Sequence, residues 1–226
     1  MYHLFCFLLL MSMTCCLGAS ADSSRTVNLV KNGISRYRIE IPRNPSPAVS
    51  YAAEELQRFV EECTGARLPV TAEERFAFAP SVLIGPCRKS RKAGLLEQAA
   101  ALPEDGVIIR SLGRDFALLG QNERGNLYSI YVFLERYLGV RFLAWDQMHV
   151  PKRTDLSLPR INFSYAPPFM YRETLYYDSF PKEIAARQRL NGPTTKCDES
   201  VGGKIDFFPY VHSFNDLIPE KEYFEQ

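Results

Sequence analysis

Residues 46–65 place the tightest constraint on what this chain can fold into. Ser46 stands where an N-cap belongs, and Pro47 follows at the first helical position, where its missing N–H costs nothing. Val49, Ala52, Ala53, Leu56, Phe59, Val60 and Cys63 then recur at helical spacing, so one stripe of the helix is apolar. Gly65, just past the stripe, supplies the stop. A helix of that kind must lay its stripe on something, and the β-forming segments around it make the partner a sheet. The adjacent carboxylates Glu54-Glu55 and Glu61-Glu62 imitate a catalytic pair. Neighbours on a helix do not face each other across a substrate, however, so they are expected on a solvated face.

The flanking segments extend the pattern. Thr26–Val30 and Tyr37–Ile41 read as strands joined through Asn32-Gly33, a hairpin signal. Leu68–Thr71 and Ser81–Ile84 read as short strands, and Lys92–Ala101 as a short helix. Gly106–Leu112 and Phe116–Leu119 pair as a hairpin across Gly113-Arg114. A second strong helix runs from about Glu123 to Leu138, capped by Asn122 and stopped by Gly139, before a strand over Val140–Ala144. Arg124-Gly125 at its start could suggest anion binding, but capping is the better reading. The order predicts an α+β domain over residues 22–150, with helices on one face of a mostly antiparallel sheet.

From Val150 the composition shifts. Pro151, Pro159, Pro167 and Pro168 mark residues 151–168 as a linker. Beyond it, Tyr171–Tyr177 reads as a strand, Lys182–Leu190 as a helix, Phe207–His212 as a strand and Glu220–Phe224 as the start of a helix. Strand–helix alternation is how a (β/α)₈ barrel begins, and such a barrel needs ~250 residues. Residues 169–226 are therefore expected to be an incomplete barrel of TIM type.

Residues 1–21 read as a cleavable export signal. Leu4–Met11 is an unbroken apolar run too short to span a bilayer, and Ala19-Ser20-Ala21 is a small-x-small cleavage site. A secreted or periplasmic product is expected, in preference to a lipoprotein anchored at Cys15 or Cys16. Basic and acidic residues balance (27 against 26), which argues against nucleic acid or an anionic membrane as partner. Cys63, Cys87 and Cys197 match no zinc or redox spacing. Cys63 and Cys87 could pair in an oxidising compartment, although buried free thiols are favoured. With 3 His and scattered Cys there is little material for a metal site, and no cofactor is expected. No GxSxG, HExxH, P-loop or CxxC pattern occurs.

Several phrases together resemble one family arrangement. Tyr51-Ala-Ala-Glu-Glu-Leu-Gln-Arg-Phe-Val, Thr64-Gly65-Ala66 and Leu68-Pro69-Val70 resemble the opening of the α-glucuronidase-type N-terminal domain. That domain is itself similar to the second, non-catalytic domain of β-hexosaminidases. Asp105-Gly106-Val107, Arg124-Gly125-Asn126-Leu127-Tyr128 and Phe133–Arg141 resemble its closing elements. Met170-Tyr171-Arg172, Arg189-Leu190-Asn191-Gly192 and His212-Ser213-Phe214 are similar to the start of the barrel in exported bacterial DUF4838 proteins.

The resemblance implies a secreted glycoside hydrolase acting on oligosaccharide or polysaccharide. Its catalytic carboxylates would come from later barrel strands, so no residue here is assigned as catalytic. The other reading is a non-enzymatic glycan-binding or structural module. Five residues are candidate substrate contacts. His212 is expected at the end of the second barrel strand, where imidazole can exchange hydrogen bonds with sugar hydroxyls, against a packed or capping histidine. The Arg172 fork suits a uronate carboxylate, against a buried ion pair, and Asp178 would end the same strand, against a loop cap. Arg189 and Asn191 close the first barrel helix, where such residues usually serve the backbone, Asn191 as its left-handed stop. Tyr176, Tyr177, Phe207, Phe208 and Tyr210 could stack on sugars, though core packing is the commoner fate.

Overall fold

The computed structural model describes residues 26–74, 79–207 and 214–218. In chain order the strands are β1 (Val27–Val30), β2 (Arg38–Ile41), β3 (Val70–Ala72), β4 (Ser81–Ile84), β5 (Val107–Leu112), β6 (Asp115–Gly120), β7 (Arg141–Phe142), β8 (Met148–His149), β9 (Leu156–Leu158) and β10 (Asn162–Tyr165). The helices are α1 (Pro47–Thr64), α2 (Arg88–Lys92), α3 (Leu95–Ala100), α4 (Glu123–Phe133), α5 (Lys182–Arg187) and α6 (Phe214–Leu217). A π-helical turn, Leu134–Leu138, continues α4, and Gly139 in the left-handed region ends it.

Both long helices form where the sequence places them. The Ser46 side chain accepts a hydrogen bond from the Val49 N–H, Pro47 opens α1, and Gly65 closes it at φ 76°. Asn122 caps α4 by accepting from the Gly125 N–H. The apolar stripe of α1 is fully buried against α4 and the sheet.

The central sheet has six strands in the order β10-β5-β6-β4-β2-β3. The expected mostly antiparallel sheet is corrected here: β4 runs parallel to β2 and β6, and β3 parallel to β2, leaving only β5–β6 and β10–β5 antiparallel. The reason is the connections: the crossover through α1 returns the chain in the same direction, whereas α2–α3 lead into β5, which runs opposite to β4, and the β5–β6 hairpin then turns β6 back parallel to β4. Helices also cover both faces rather than one. Val82, Ile84, Ile109, Phe116 and Leu118 point to α1 and α4, whereas Leu83, Ile108, Ala117 and Leu119 point to Leu95 and Ala99 of α3. Every residue of β4 is buried, as a strand covered on both sides must be. Cys63 lies in the first of these layers and Cys87 in the second, so the sheet separates them; both are free thiols, as is Cys197.

The hairpin expected between the first two strands is also corrected. Asn32 and Gly33 do form a tight left-handed turn, at φ 51° and 70°, bridged between Lys31 and Ile34. The strands then part, because β1 pairs antiparallel with β9, more than a hundred residues away in sequence. That pairing gives the proline-marked segment 151–168 a structural place. It supplies β9 and also β10, which forms one edge of the central sheet. Pro159 falls between the two strands, where no ladder N–H is needed.

Past residue 168 the chain packs on the α1–α4 side. Ala185, Ala186, Cys197 and Val201 join the same core as Leu56, Phe59 and Tyr128. The strand expected over Tyr171–Tyr177 is not formed, and only a 3-10 turn at Tyr177–Ser179 and the short α5 follow. Backbone groups of this stretch bond to side chains instead: the Arg172 N–H donates to Asn191 Oδ1, and the Met170 carbonyl accepts from Asn191 Nδ2. The second expected strand lies outside the described residues apart from Phe207, and the last expected helix lies wholly outside them.

Candidate functional site

Asp105 is the centre of the first polar cluster. It sits in the turn before β5 at φ 60°, a left-handed position that Asp tolerates better than most residues, and it is 1% exposed. Its Oδ1 accepts from Asn122 Nδ2 at 2.8 Å and Arg124 Nε at 2.9 Å. Oδ2 accepts from Arg172 Nη2 at 2.6 Å and Asn191 Nδ2 at 3.1 Å. One carboxylate thus joins the start of α4 to the segment after residue 168. The other nitrogens of Arg172 are also engaged, Nε on the Arg189 carbonyl and Nη1 on the carbonyls of Phe169 and Met170. The buried Tyr128 hydroxyl is pushed up, by desolvation first and then by the Asp105 charge.

Glu55 centres a second cluster. The expectation of a solvated face fails for it: Glu55 is 4% exposed because α5 covers it, while Glu54 is exposed. Its carboxylate takes both Nε and Nη2 of Arg187, at 3.0 and 3.1 Å, together with the Tyr131 hydroxyl at 3.1 Å. Burial works against the Arg187 charge, but the hydrogen bonds and charge of Glu55 outweigh it and raise its pKa. Nearby Tyr51 is pushed up to about 12 by burial and then by Glu55.

The third feature is an open cleft of about 560 Å³ beside the π-helical turn. Glu135 and Arg136 of that turn line it, with Val132, Arg141, Phe163 and Tyr165 of β10, and Arg189. Arg189 Nη1 pairs with Glu135 at 2.8 Å, and the Arg136 guanidinium lies 4.5 Å from the centre of the Phe163 ring. Arg141 Nη1 donates to the carbonyls of Glu135 and Val140. Arg189, not Asn191, is the left-handed stop of α5. At φ 59° it occupies the position where glycine is favoured, and the Leu190 N–H reaches back to the Ala185 carbonyl.

Comparison with known proteins divides the chain between two family models. Residues 27–133 match the glycosyl hydrolase family 67 N-terminus, and residues 142–226 match the domain of unknown function DUF4838. The chain thus has a region similar to each. Over 108 residues it is 34% identical to the probable α-glucuronidase A of Aspergillus terreus, covering 45% of this chain and 13% of that protein. The chain therefore spans only about an eighth of that relative's length. Among solved structures, a family GH115 4-O-methyl-α-glucuronidase with specificity for decorated arabinogalactans aligns at 14% identity and a TM-score of 0.49, over 78% of this chain and 29% of that one. Flavobacterium johnsoniae chitobiase aligns at 13% identity and a TM-score of 0.37, over 66% of this chain and 21% of its own.

The family 67 N-terminal region thus supplies Glu55, Asp105 and Arg124, and the DUF4838 region supplies Arg172, Arg187 and Asn191. The structure brings Arg172 and Asn191 together on Asp105, and sets Arg189 apart in the cleft. Asp178 is half-buried in the 3-10 turn and lines none of the three features. His212, Phe208 and Tyr210 lie outside the described residues. Tyr176 and Tyr177 are exposed (66% and 77%), as is Phe207, which corrects the expectation that they pack in a core. Sequence reasoning missed Asp105 and Glu55 as charge centres, and Arg136 and Arg141 as cleft residues. The one available signal was Asp105 just before Gly106, an acid at a tight turn leading into an apolar strand. Among the described residues no group of three or more His, Cys, Asp or Glu could hold a metal ion. No helix among them is long and apolar enough to cross a membrane.

Proposed function

We infer that this chain is the non-catalytic N-terminal portion of a secreted, α-glucuronidase-like glycoside hydrolase acting on polysaccharide. The observation that carries the reading is the relation of residues 27–133 to the family 67 N-terminus, joined with 34% identity to an α-glucuronidase over 108 residues. Hydrolysis by two carboxylates needs them about 5–9.5 Å apart across a sugar. The basic cleft has a single carboxylate, Glu135, and the cleft beside Pro86 and Asn122 also has one, Glu123. In this reading the acid and base come from barrel strands other than the segments described, and residues 169–226 lead into that barrel. The exposed Phe169, Met170, Leu175, Tyr176 and Tyr177 support this, since a run of large apolar side chains on one surface marks a face that other polypeptide covers. In this reading Arg172 and Asn191 fix the barrel's first segment to Asp105, and His212 and Asp178 are the residues left to meet substrate.

The test is hydrolysis of glucuronoxylan and of aryl glycosides by the longer protein that contains this region, beside residues 1–226 alone. Release of sugar acid by the longer protein only is the expected result. Turnover by the 226-residue chain itself would overturn the assignment.

A further inference from the structure

We propose that the cleft between the π-helical turn and β10 is a binding site for an anionic oligosaccharide. Three local features converge on it. The helix changes from α to π geometry where Glu135 and Arg136 are presented, a distortion found often at functional positions. Arg189 holds a left-handed backbone that a glycine would adopt without strain, yet its long side chain reaches Glu135 at the cleft wall. Arg136 lies over Phe163 and hydrogen-bonds Tyr137, so the ring covers the guanidinium face while the N–H groups that Tyr137 does not engage can meet an oxyanion.

Charge and shape then name the ligand class. Arg136, Arg141 and Arg189 against Glu135 leave an excess of two positive charges (three minus one) in a cleft of about 560 Å³. That volume suits a ligand of one or two sugar rings rather than a bare ion. Tyr165 is exposed at the end of β10 and offers a flat face for a pyranose ring to stack on. Guanidinium forks accept carboxylate and sulfate alike, so a uronate and a sulfated sugar share the chemistry. The choice of a sugar over an acidic peptide rests on the hydrolase reading above.

Titration calorimetry on the full chain in low salt tests this with five probes: tetragalacturonate, a sulfated galactose tetrasaccharide, its neutral desulfated form, a hexaglutamate peptide and sodium sulfate. At least one charged saccharide is expected to bind, with the neutral form at least ~10-fold weaker, about 1.4 kcal/mol. Which charged probe binds more tightly identifies the oxyanion. Arg136→Gln and Arg141→Gln change exposed side chains and should each weaken binding by ~10-fold or more. Tyr165→Ala should weaken saccharide binding but leave any binding of sodium sulfate unchanged. Circular dichroism verifies that each variant is folded; should one not be, the charged-against-neutral comparison on the unaltered chain decides alone. The proposal is overturned if neither charged saccharide binds, if the neutral form binds equally, if the Gln variants have no effect, or if only the peptide or bare sulfate binds. Hydrolysis by the longer protein is read separately, so either conclusion can fail while the other stands.

Discussion

Asp105→Asn isolates the charge at the centre of the first cluster while keeping shape, volume and a residue suited to the left-handed backbone. Each carboxylate oxygen accepts two donors, one from an arginine and one from an asparagine amide. An amide offers only one acceptor atom. Whichever way the substituted side chain turns, its NH₂ faces two donors, so one guanidinium loses its bond to residue 105, and both lose the anion there, Arg124 keeping Glu104 and Arg172 only backbone carbonyls. Arg124 and Arg172 are 9% and 15% exposed, so water replaces little of what is lost. Removing one partner of a buried ion pair costs about 3–5 kcal/mol, against a total stability of roughly 5–15 kcal/mol. For a domain of this size that corresponds to a melting point lowered by about 12 °C, at about 3 °C per kcal/mol. Urea denaturation followed by circular dichroism gives the energy. Limited proteolysis gives the location, because cleavage between residues 169 and 205 should accelerate before the sheet unfolds. Asp178→Asn, at a half-buried position outside the Asp105 cluster, is the control and should change neither. An Asp105→Asn variant within about 1 kcal/mol of the parent, with an unchanged cleavage pattern, would show that Asp105 does not hold the segment.

Three further outcomes are expected. Gly120→Ala would place a Cβ 2.0 Å from the Gly125 carbonyl carbon, where β6 meets the start of α4, and should cost about 3 kcal/mol or more in urea denaturation. Burial raises the pKa of Tyr51, to about 12, and also those of Tyr128 and Tyr131. The folded chain therefore keeps protons that the unfolded chain releases near pH 10, so stability is intact below pH 10 and falls as pH rises toward 12. Absorbance at 295 nm should show these phenols ionising together with loss of ellipticity; a single reversible step near pH 10 with the fold intact would contradict it. Burial likewise raises the thiols of Cys63, Cys87 and Cys197, which should resist alkylation at pH 8 by peptide mapping until denaturant is added.

Local chemistry was legible in the sequence. The caps Ser46 and Asn122, the stops Gly65 and Gly139, and the β5–β6 hairpin all stand where residue types placed them, because each depends on neighbours within a few positions. Strand direction was not legible, since β2, β4 and β6 become parallel only once helices cross between them. Nor was the partner of β1, because Asn32-Gly33 fixes a turn but cannot know that Leu156–Leu158 competes for the strand. Tyr171–Tyr177 has strand composition, yet Asn191 and Asp105 capture its neighbourhood through contacts 19 to 67 residues distant. Charge centres were hidden for the same reason. Glu55 looks like any helix-surface glutamate until α5 arrives from 132 residues away. Arg189, placed by its own helix end, lines the cleft beside the π-helical turn.

The Glu55–Arg187 pair bears on where this polypeptide can be cut. The two matching families meet between residues 133 and 142, and a proline-rich stretch follows, so trimming there looks natural. Such a trim would strand a carboxylate in the middle of α1 and uncover Leu56, Phe59 and Tyr128 to solvent. The two matches place these residues in separate regions, but mechanically they are one piece. A fragment meant to behave in solution has to keep the chain at least through Val201, whose side chain seals the same apolar interior.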